Sequence, residues 1–165
     1  MPRLKIDALT TPELDWPAYS SGAVCEVLKI GPRRLHNYLS KAYALRPTGK
    51  PGTGCGHRHW FLIEDVYRLA IAHRMFTDGF APRFISRLLA SIEDTDFFRF
   101  DENGLVPHPV ITFVRGKANP DFEQYHEKNV PAVTVNGPAY YLLDVAGIVR
   151  QVDASIKELG FPRFN

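Results

Sequence analysis

The sequence has little of what marks several large classes of protein. Only two of its 165 residues, Cys25 and Cys55, are cysteines, which is too few for a disulfide framework. No apolar stretch approaches the roughly 18 residues of a membrane-spanning helix, and the first residues lack the basic-then-apolar order of a secretory signal. We therefore expect a cytoplasmic protein with reduced thiols and no membrane partner.

The most informative absence is that of acidic residues in one part of the chain. The whole sequence carries 20 Lys and Arg against 18 Asp and Glu, a net charge of +2 that indicates no particular partner. Between Glu26 and Glu64, however, there are seven Lys and Arg and no acid, which leaves 13 basic against 18 acidic residues elsewhere. Such a segment is typical of proteins that contact a phosphate backbone. The alternative is a solvated face on which charges cluster by chance.

Two short helices with a glycine turn between them are predicted inside the basic segment. Ser20 and Ser21 are both good N-caps for the first helix, in which apolar residues follow at helical spacing. Gly31 suits a tight left-handed turn, and Pro32 suits the first position of a second helix that extends to about Lys41. The result is a helix-turn-helix unit. The outward face of its second helix carries Arg33, Arg34, His36 and Asn37.

A glycine-rich loop and a short strand follow this unit. Residues 48–56 contain four glycines and a proline, a composition that neither a helix nor a central strand would accept. Residues 57–61 are predicted to form a strand that pairs with residues 44–46, and we call this basic ribbon, residues 44–61, the wing. Cys and His are residue types that bind metal ions, and the alternation of a strand would place Cys55, His57 and His59 on one face. Because no fourth ligand is nearby, we expect no metal there.

Two more helices are predicted after the wing. The first spans about residues 63–78, with Glu64 and Asp65 in its first turn, where carboxylates suit the helix dipole, and Gly79 after its end. Its buried side should contain Val66, Leu69, Ala70 and Phe76. Pro82 begins the second, whose stripe of Ile85, Leu88, Leu89 and Ile92 is clearly amphipathic.

The rest of the chain is predicted to be a small α+β module. Residues 110–114 are β-branched and should form a strand, and residues 133–142 should form a hairpin around an Asn-Gly pair. Asp144 should cap a last helix with an apolar stripe that runs to about Leu159. We therefore predict a mainly α fold with small β. Its parts are an N-terminal arm (1–18), a winged helix-turn-helix domain (19–93) and a small α+β dimerisation or sensing module (97–165).

Four short segments, in this order and spacing, carry a resemblance to a known family. They are residues 19–24, 31–38, 56–60 together with 65–69, and 78–80. Over about residues 19–92 the chain resembles the DNA-binding domain of the MerR family of transcriptional regulators. The resemblance implies a sequence-specific regulator whose second helix enters the major groove of double-stranded DNA while the wing contacts adjacent phosphates. The candidate DNA contacts are Tyr19, Arg33, Arg34, His36, Asn37, Tyr38, Lys41, Lys50, His57 and Arg58.

The sequence also departs from the family pattern. The family usually has arginine, tyrosine and glutamate where this chain has His36, Asn37 and Leu39, so the family's base preference does not transfer. The long antiparallel dimerisation helix that usually follows the DNA-binding domain is not evident after Ile92. We nevertheless expect a homodimer, in which the stripe of residues 145–159 either pairs with a second copy or covers the small sheet.

Two other classes of protein compete with a regulator as interpretations of the sequence. An enzyme is not expected, because the acidic pairs Asp101-Glu102 and Asp121-Glu123 fall in predicted loops without a nucleophile, phosphate loop or metal spacing. No cofactor is expected either. The alternative is a DNA-architectural or adaptor protein that resembles a phage excisionase, since such proteins also use a winged helix.

Overall fold

A computed structural model describes residues 18–40, 45, 47, 59–90, 92, 99–101, 104–106, 110–114, 123–125 and 140–161. This part of the chain is mainly helical with a small amount of β structure, as predicted. In chain order its elements are β1 (Tyr19–Ser20), α1 (Ser21–Leu28), α2 (Pro32–Tyr38), β2 (Trp60–Phe61), α3 (Ile63–Thr77), α4 (Pro82–Ala90), β3 (Arg99–Asp101), β4 (Gly104–Val106), β5 (Val110–Val114), β6 (Glu123–Tyr125), β7 (Tyr140–Leu143) and α5 (Val145–Glu158).

Helices α1 and α2 are joined by a three-residue connection. The Ser20 hydroxyl accepts the amide proton of Ala23 at 3.3 Å, so Ser20 is the one of the two predicted caps that caps α1. The left-handed residue that ends α1 is Lys29, with φ 53°, whereas Gly31 is extended and forms the N-cap of α2. The prediction of a left-handed Gly31 is therefore wrong. Pro32 occupies the first turn of α2 as expected, because its missing N–H is not needed there.

Strands β1 and β2 form a short antiparallel pair. Tyr19 lies opposite Phe61, and Ser20 lies opposite Trp60. Both Tyr19 and Phe61 are buried, so the pair ties the start of α1 to the start of α3. The sequence predicted that the strand containing β2 pairs with residues 44–46. Most of residues 41–58 lie outside the described part of the chain, so that pairing stays a prediction.

Helices α3 and α4 begin and end largely as predicted. The Asp65 carboxylate accepts the amide of Leu62 at 2.8 Å, which satisfies a donor at the start of α3. Gly79, with φ 88°, follows the end of α3. The predicted stripe is buried, with Ile85, Leu88 and Leu89 on α4 and Ile92 two residues after its end.

Arg68 of α3 fixes the end of α4. Its guanidinium donates to the carbonyl of Leu89 at 2.9 Å and to that of Ile92 at 2.7 Å. Carbonyls at a helix C-terminus lack donors within the helix, and the Arg68 guanidinium provides donors for these two. Arg68 is thereby a structural residue between the two helices.

Helix α5 packs on α1 and α3 and shares their core. Its buried residues are Val145, Ala146, Val149, Val152 and Ile156. The Tyr67 hydroxyl of α3 donates to the Asp153 carboxylate of α5 at 2.7 Å. The predicted N-cap of α5 is confirmed, because the Asp144 carboxylate accepts the amide proton of Gly147 at 2.7 Å. The stripe expected to pair with a second copy or to cover the sheet is thus largely buried against helices of the same chain, while Leu159 remains exposed.

The described strands of the C-terminal half form two small sheets. Strand β3 pairs with β4, and β5 lies between β6 and β7, all antiparallel. The strand predicted at residues 110–114 is confirmed as β5. Asp101 ends β3 and Glu123 begins β6, so the prediction that these acids lie in loops is wrong. The Asn-Gly turn at residues 136–137 lies outside the described residues.

One buried core therefore joins helices from both of the segments predicted as separate modules. The boundary between residues 93 and 97 itself stays a prediction. Among the helices that the structure describes, none combines the length and apolar character needed to cross a membrane.

Candidate nucleic-acid interface

Helix α2 has one buried face and one polar face. Leu35 is 3% exposed and Tyr38 is fully buried, so these two side chains hold the helix against the core. Arg33, His36 and Asn37 are exposed, as the sequence predicted for the outward face. The backbone amides of Arg34 and Leu35 bond to the Gly31 carbonyl at 2.9 and 3.1 Å, which fixes the first turn. The outward side chains therefore project from a firmly anchored helix.

Arg34 is held between the outward face and helix α3. Its guanidinium carbon lies 4.4 Å from the centre of the Phe76 ring, the geometry of a cation–π contact. Phe76 was predicted on the buried side of α3 but is 36% exposed, so that part of the prediction is wrong. Its ring is instead a partly exposed support on which the Arg34 charge rests.

Tyr38 and Tyr19, two of the predicted phosphate contacts, are core residues. The Tyr38 hydroxyl forms a 2.8 Å hydrogen bond with Nδ1 of His73. Its ring also meets those of His73 and Phe76 edge-on. Tyr19 is 3% exposed and packs edge-on against Phe161. Both aromatic side chains are thus buried in the core that the helices share.

The surroundings of His73, the partner of Tyr38, favour a neutral imidazole. Burial lowers the pKa of His73, and the nearby positive charge of Arg34 lowers it further. A neutral ring leaves Nδ1 able to accept the Tyr38 hydroxyl proton. Sequence reasoning missed both His73 and Phe76 as supports of α2. The only signal was their i, i+3 spacing on α3, which places them on one face but does not identify the helix they contact.

A recess of about 290 Å³ lies beside the polar face of α2. Its walls come from α1, α2 and the residue before β2, and include Cys25, Leu35, His36, Leu39 and His59. Burial raises the pKa of the Cys25 thiol, and the charge of Glu26 raises it further, so Cys25 is a protonated, partly buried residue packed against the core. Within the described part of the chain, no three His, Cys, Asp or Glu side chains are grouped so as to hold a metal.

The remaining predicted contacts lie outside the described residues. These are Lys41, Lys50, His57 and Arg58, and the possible metal ligand Cys55 belongs with them. The described candidate interface consequently consists of the polar face of α2, the supported Arg34 and the exposed His59.

Comparison with protein-family models finds no match for the chain, and neither does comparison with curated proteins.

Proposed function

We propose that this protein is a sequence-specific, double-stranded-DNA-binding transcriptional regulator in which α2 enters the major groove. The observation that carries the proposal is the division of α2 into a buried face and an exposed face that holds Arg33, His36 and Asn37. The exposed face belongs to a stretch, residues 27–63, with seven cations and no acid. A helix that is anchored to the core and presents Arg33 with no acid on its outward face is suited to the polyanionic surface of DNA.

The residue types on this face suit base recognition. The planar fork of Arg33 can donate two bonds to the O6 and N7 edge of guanine, and the Asn37 amide can pair with adenine in the same bidentate way. A major groove about 12 Å wide admits one α-helix. Because Tyr38 fastens α2 to α3 through His73, these side chains would approach the bases in one fixed orientation.

The surrounding elements support a winged helix-turn-helix arrangement. Helices α1 and α2 follow each other across a short connection, and β2 stands directly before α3. In this proposal the wing, with Lys50 and Arg58, contacts phosphates beside the groove. The affinity for duplex DNA should then fall with salt, with a log–log slope of about −0.9 for each phosphate contacted. We also propose that the protein is cytoplasmic, has no catalytic role and needs no cofactor.

The test begins with sequencing genomic DNA fragments that the purified protein selects, followed by fluorescence anisotropy on a selected duplex. Arg33→Ala should weaken binding by roughly 10- to 100-fold and relax base preference, because a bidentate contact is worth about 1–3 kcal/mol. The control is Arg150→Ala, which removes an equal charge from the exposed side of α5. It should leave affinity within about twofold.

Two results would contradict the proposal. The first is equal loss of affinity in the Arg33 and Arg150 variants, and the second is binding to duplex DNA that does not depend on salt.

The assembly state is measured on the same fragments. We propose that two protomers bind a two-fold site, through a surface other than the α5 stripe, which is largely buried in its own chain. An excisionase-like protein would instead bend the fragment strongly without any effect on transcription.

A further inference from the structure

A second concave site lies on another part of the molecule, between the end of α1, α3 and α5. Its volume is about 310 Å³, within the range of sites for small organic ligands. Its lining includes the apolar residues Val27, Leu28, Ala70, Ile148 and Val152 and the uncharged polar residues Thr77, Gln151 and Ser155. Apolar walls with a few convergent polar groups are typical of a small-molecule site.

The charged residues of this cavity give it a positive balance. Lys29 and Arg74 are the two cations in its lining, and Asp78 is the acid. Arg74 and Asp78 form an ion pair at 2.9 Å, in which their charges offset each other. The net charge of the lining is therefore that of Lys29, which the left-handed end of α1 places at the cavity. A ligand with one negative group would complement it.

His73 also lines the cavity and connects it to α2. Its Nδ1 is bonded to the Tyr38 hydroxyl, so Nε2 is the ring atom that it can offer to a ligand. We assign the tyrosine hydroxyl as the donor to Nδ1, and in that tautomer Nε2 carries the ring proton and is a donor. A carboxylate oxygen is a suitable acceptor for that proton.

We propose that this cavity binds a small monocarboxylate, its carboxylate at Lys29 and its hydrocarbon part against Leu28 and Ile148. A ligand there is one hydrogen bond away from α2, through His73 and Tyr38. Its binding therefore changes the affinity of α2 for DNA, and this second part rests on the proposed function.

The probe for the site itself is hexanoate, with hexanamide as an uncharged ligand of nearly the same shape. Titration of the isotope-labelled protein, followed by amide NMR, should give saturable shifts at Lys29, Gln151 and Ser155 with hexanoate. Hexanamide should bind about tenfold more weakly, since it lacks the charge-assisted bond. Lys29→Met should weaken hexanoate about tenfold and leave hexanamide unchanged. The control Lys157→Met, on the exposed side of α5 outside the cavity lining, should bind hexanoate like the wild type.

The proposal of a carboxylate site is overturned if the shifts do not saturate, if hexanamide binds as well as hexanoate, or if the Lys29 and Lys157 variants behave alike. The connection to DNA is tested separately, by anisotropy with and without saturating hexanoate. The DNA affinity should change in the wild type but not in Tyr38→Phe, provided that NMR shows hexanoate still bound. An unchanged affinity in the wild type would reject the connection. Saturable hexanoate binding by a protein that binds no duplex DNA would support the site and reject the proposed function.

Discussion

Helices α2 and α5 are both amphipathic, yet the outward face of α5 carries charges of both signs and that of α2 carries no negative charge. Helix α5 has Arg150, Lys157 and Glu158 on its exposed side, a mixture of both signs. Helix α2 exposes Arg33, His36 and Asn37 and has no acid. The buried stripe of α5 is also the longer, with five residues against the two of α2. Helix α5 therefore contributes mainly to the core, whereas α2 presents a surface suited to an anion.

The largest expected effect comes from the core face of α5. Ile156 is fully buried, so Ile156→Ala should lower the free energy of unfolding by about 2–5 kcal/mol. Its neighbour Lys157 is exposed, and Lys157→Ala should change that free energy by less than about 0.5 kcal/mol. Urea denaturation followed by circular dichroism measures both. If the two variants were equally stable, α5 would not belong to the cooperative core.

A smaller effect on stability is expected from the hydrogen bond that joins each of the two helices to α3. The Tyr67 hydroxyl bonds to Asp153 of α5, and the Tyr38 hydroxyl of α2 bonds to His73. Replacing either tyrosine by phenylalanine should cost about 1–2 kcal/mol of stability, the typical value of a partly buried hydrogen bond. Only Tyr38→Phe should also weaken DNA binding, because only that bond orients the exposed face of α2.

Denaturation and anisotropy on the same two variants distinguish these outcomes. A loss of DNA affinity in Tyr67→Phe as large as that in Tyr38→Phe would mean that binding follows overall stability. The difference between α2 and α5 would then have no functional meaning.

The elements that sequence predicted well are those with local signals. The stripe of α4, the caps Ser20 and Asp144, and the position of Pro32 each depend on residues a few positions apart, and each is confirmed. The exposed residues of α2 also follow from its period. Local periodicity therefore accounts for the helices and for the polar half of the candidate site.

What sequence could not predict depends on contacts between distant residues. Strands β1 and β2 are two residues long, too short to show an alternation, and their pairing joins Tyr19 to Phe61. The stripe of α5 indicated burial but not against which helix. The same holds for Tyr38, whose hydroxyl has a buried partner, His73, 35 positions away. An aromatic residue near a basic face can serve either the core or a phosphate, and only the tertiary packing decides between them.

The smallest effect concerns pH and again involves the attachment of α2. In the unfolded chain His73 takes a proton near its usual pKa of 6.5, whereas burial and the Arg34 charge lower that pKa in the folded protein. Between the two values the unfolded state binds more protons, so the stability contributed by neutral His73 is present above about pH 6.5 and declines as the pH falls towards the folded pKa. Unfolding in urea at about pH 7.5 and about pH 5.5 should reveal this decline, over and above that of His73→Gln. Because protonated His73 can no longer accept the Tyr38 hydroxyl proton at Nδ1, DNA affinity should weaken over the same range in the wild type and less in the variant. Equal pH dependence of stability in the two proteins would remove His73 as the group responsible, and α2 would then be attached as firmly at low pH as α5.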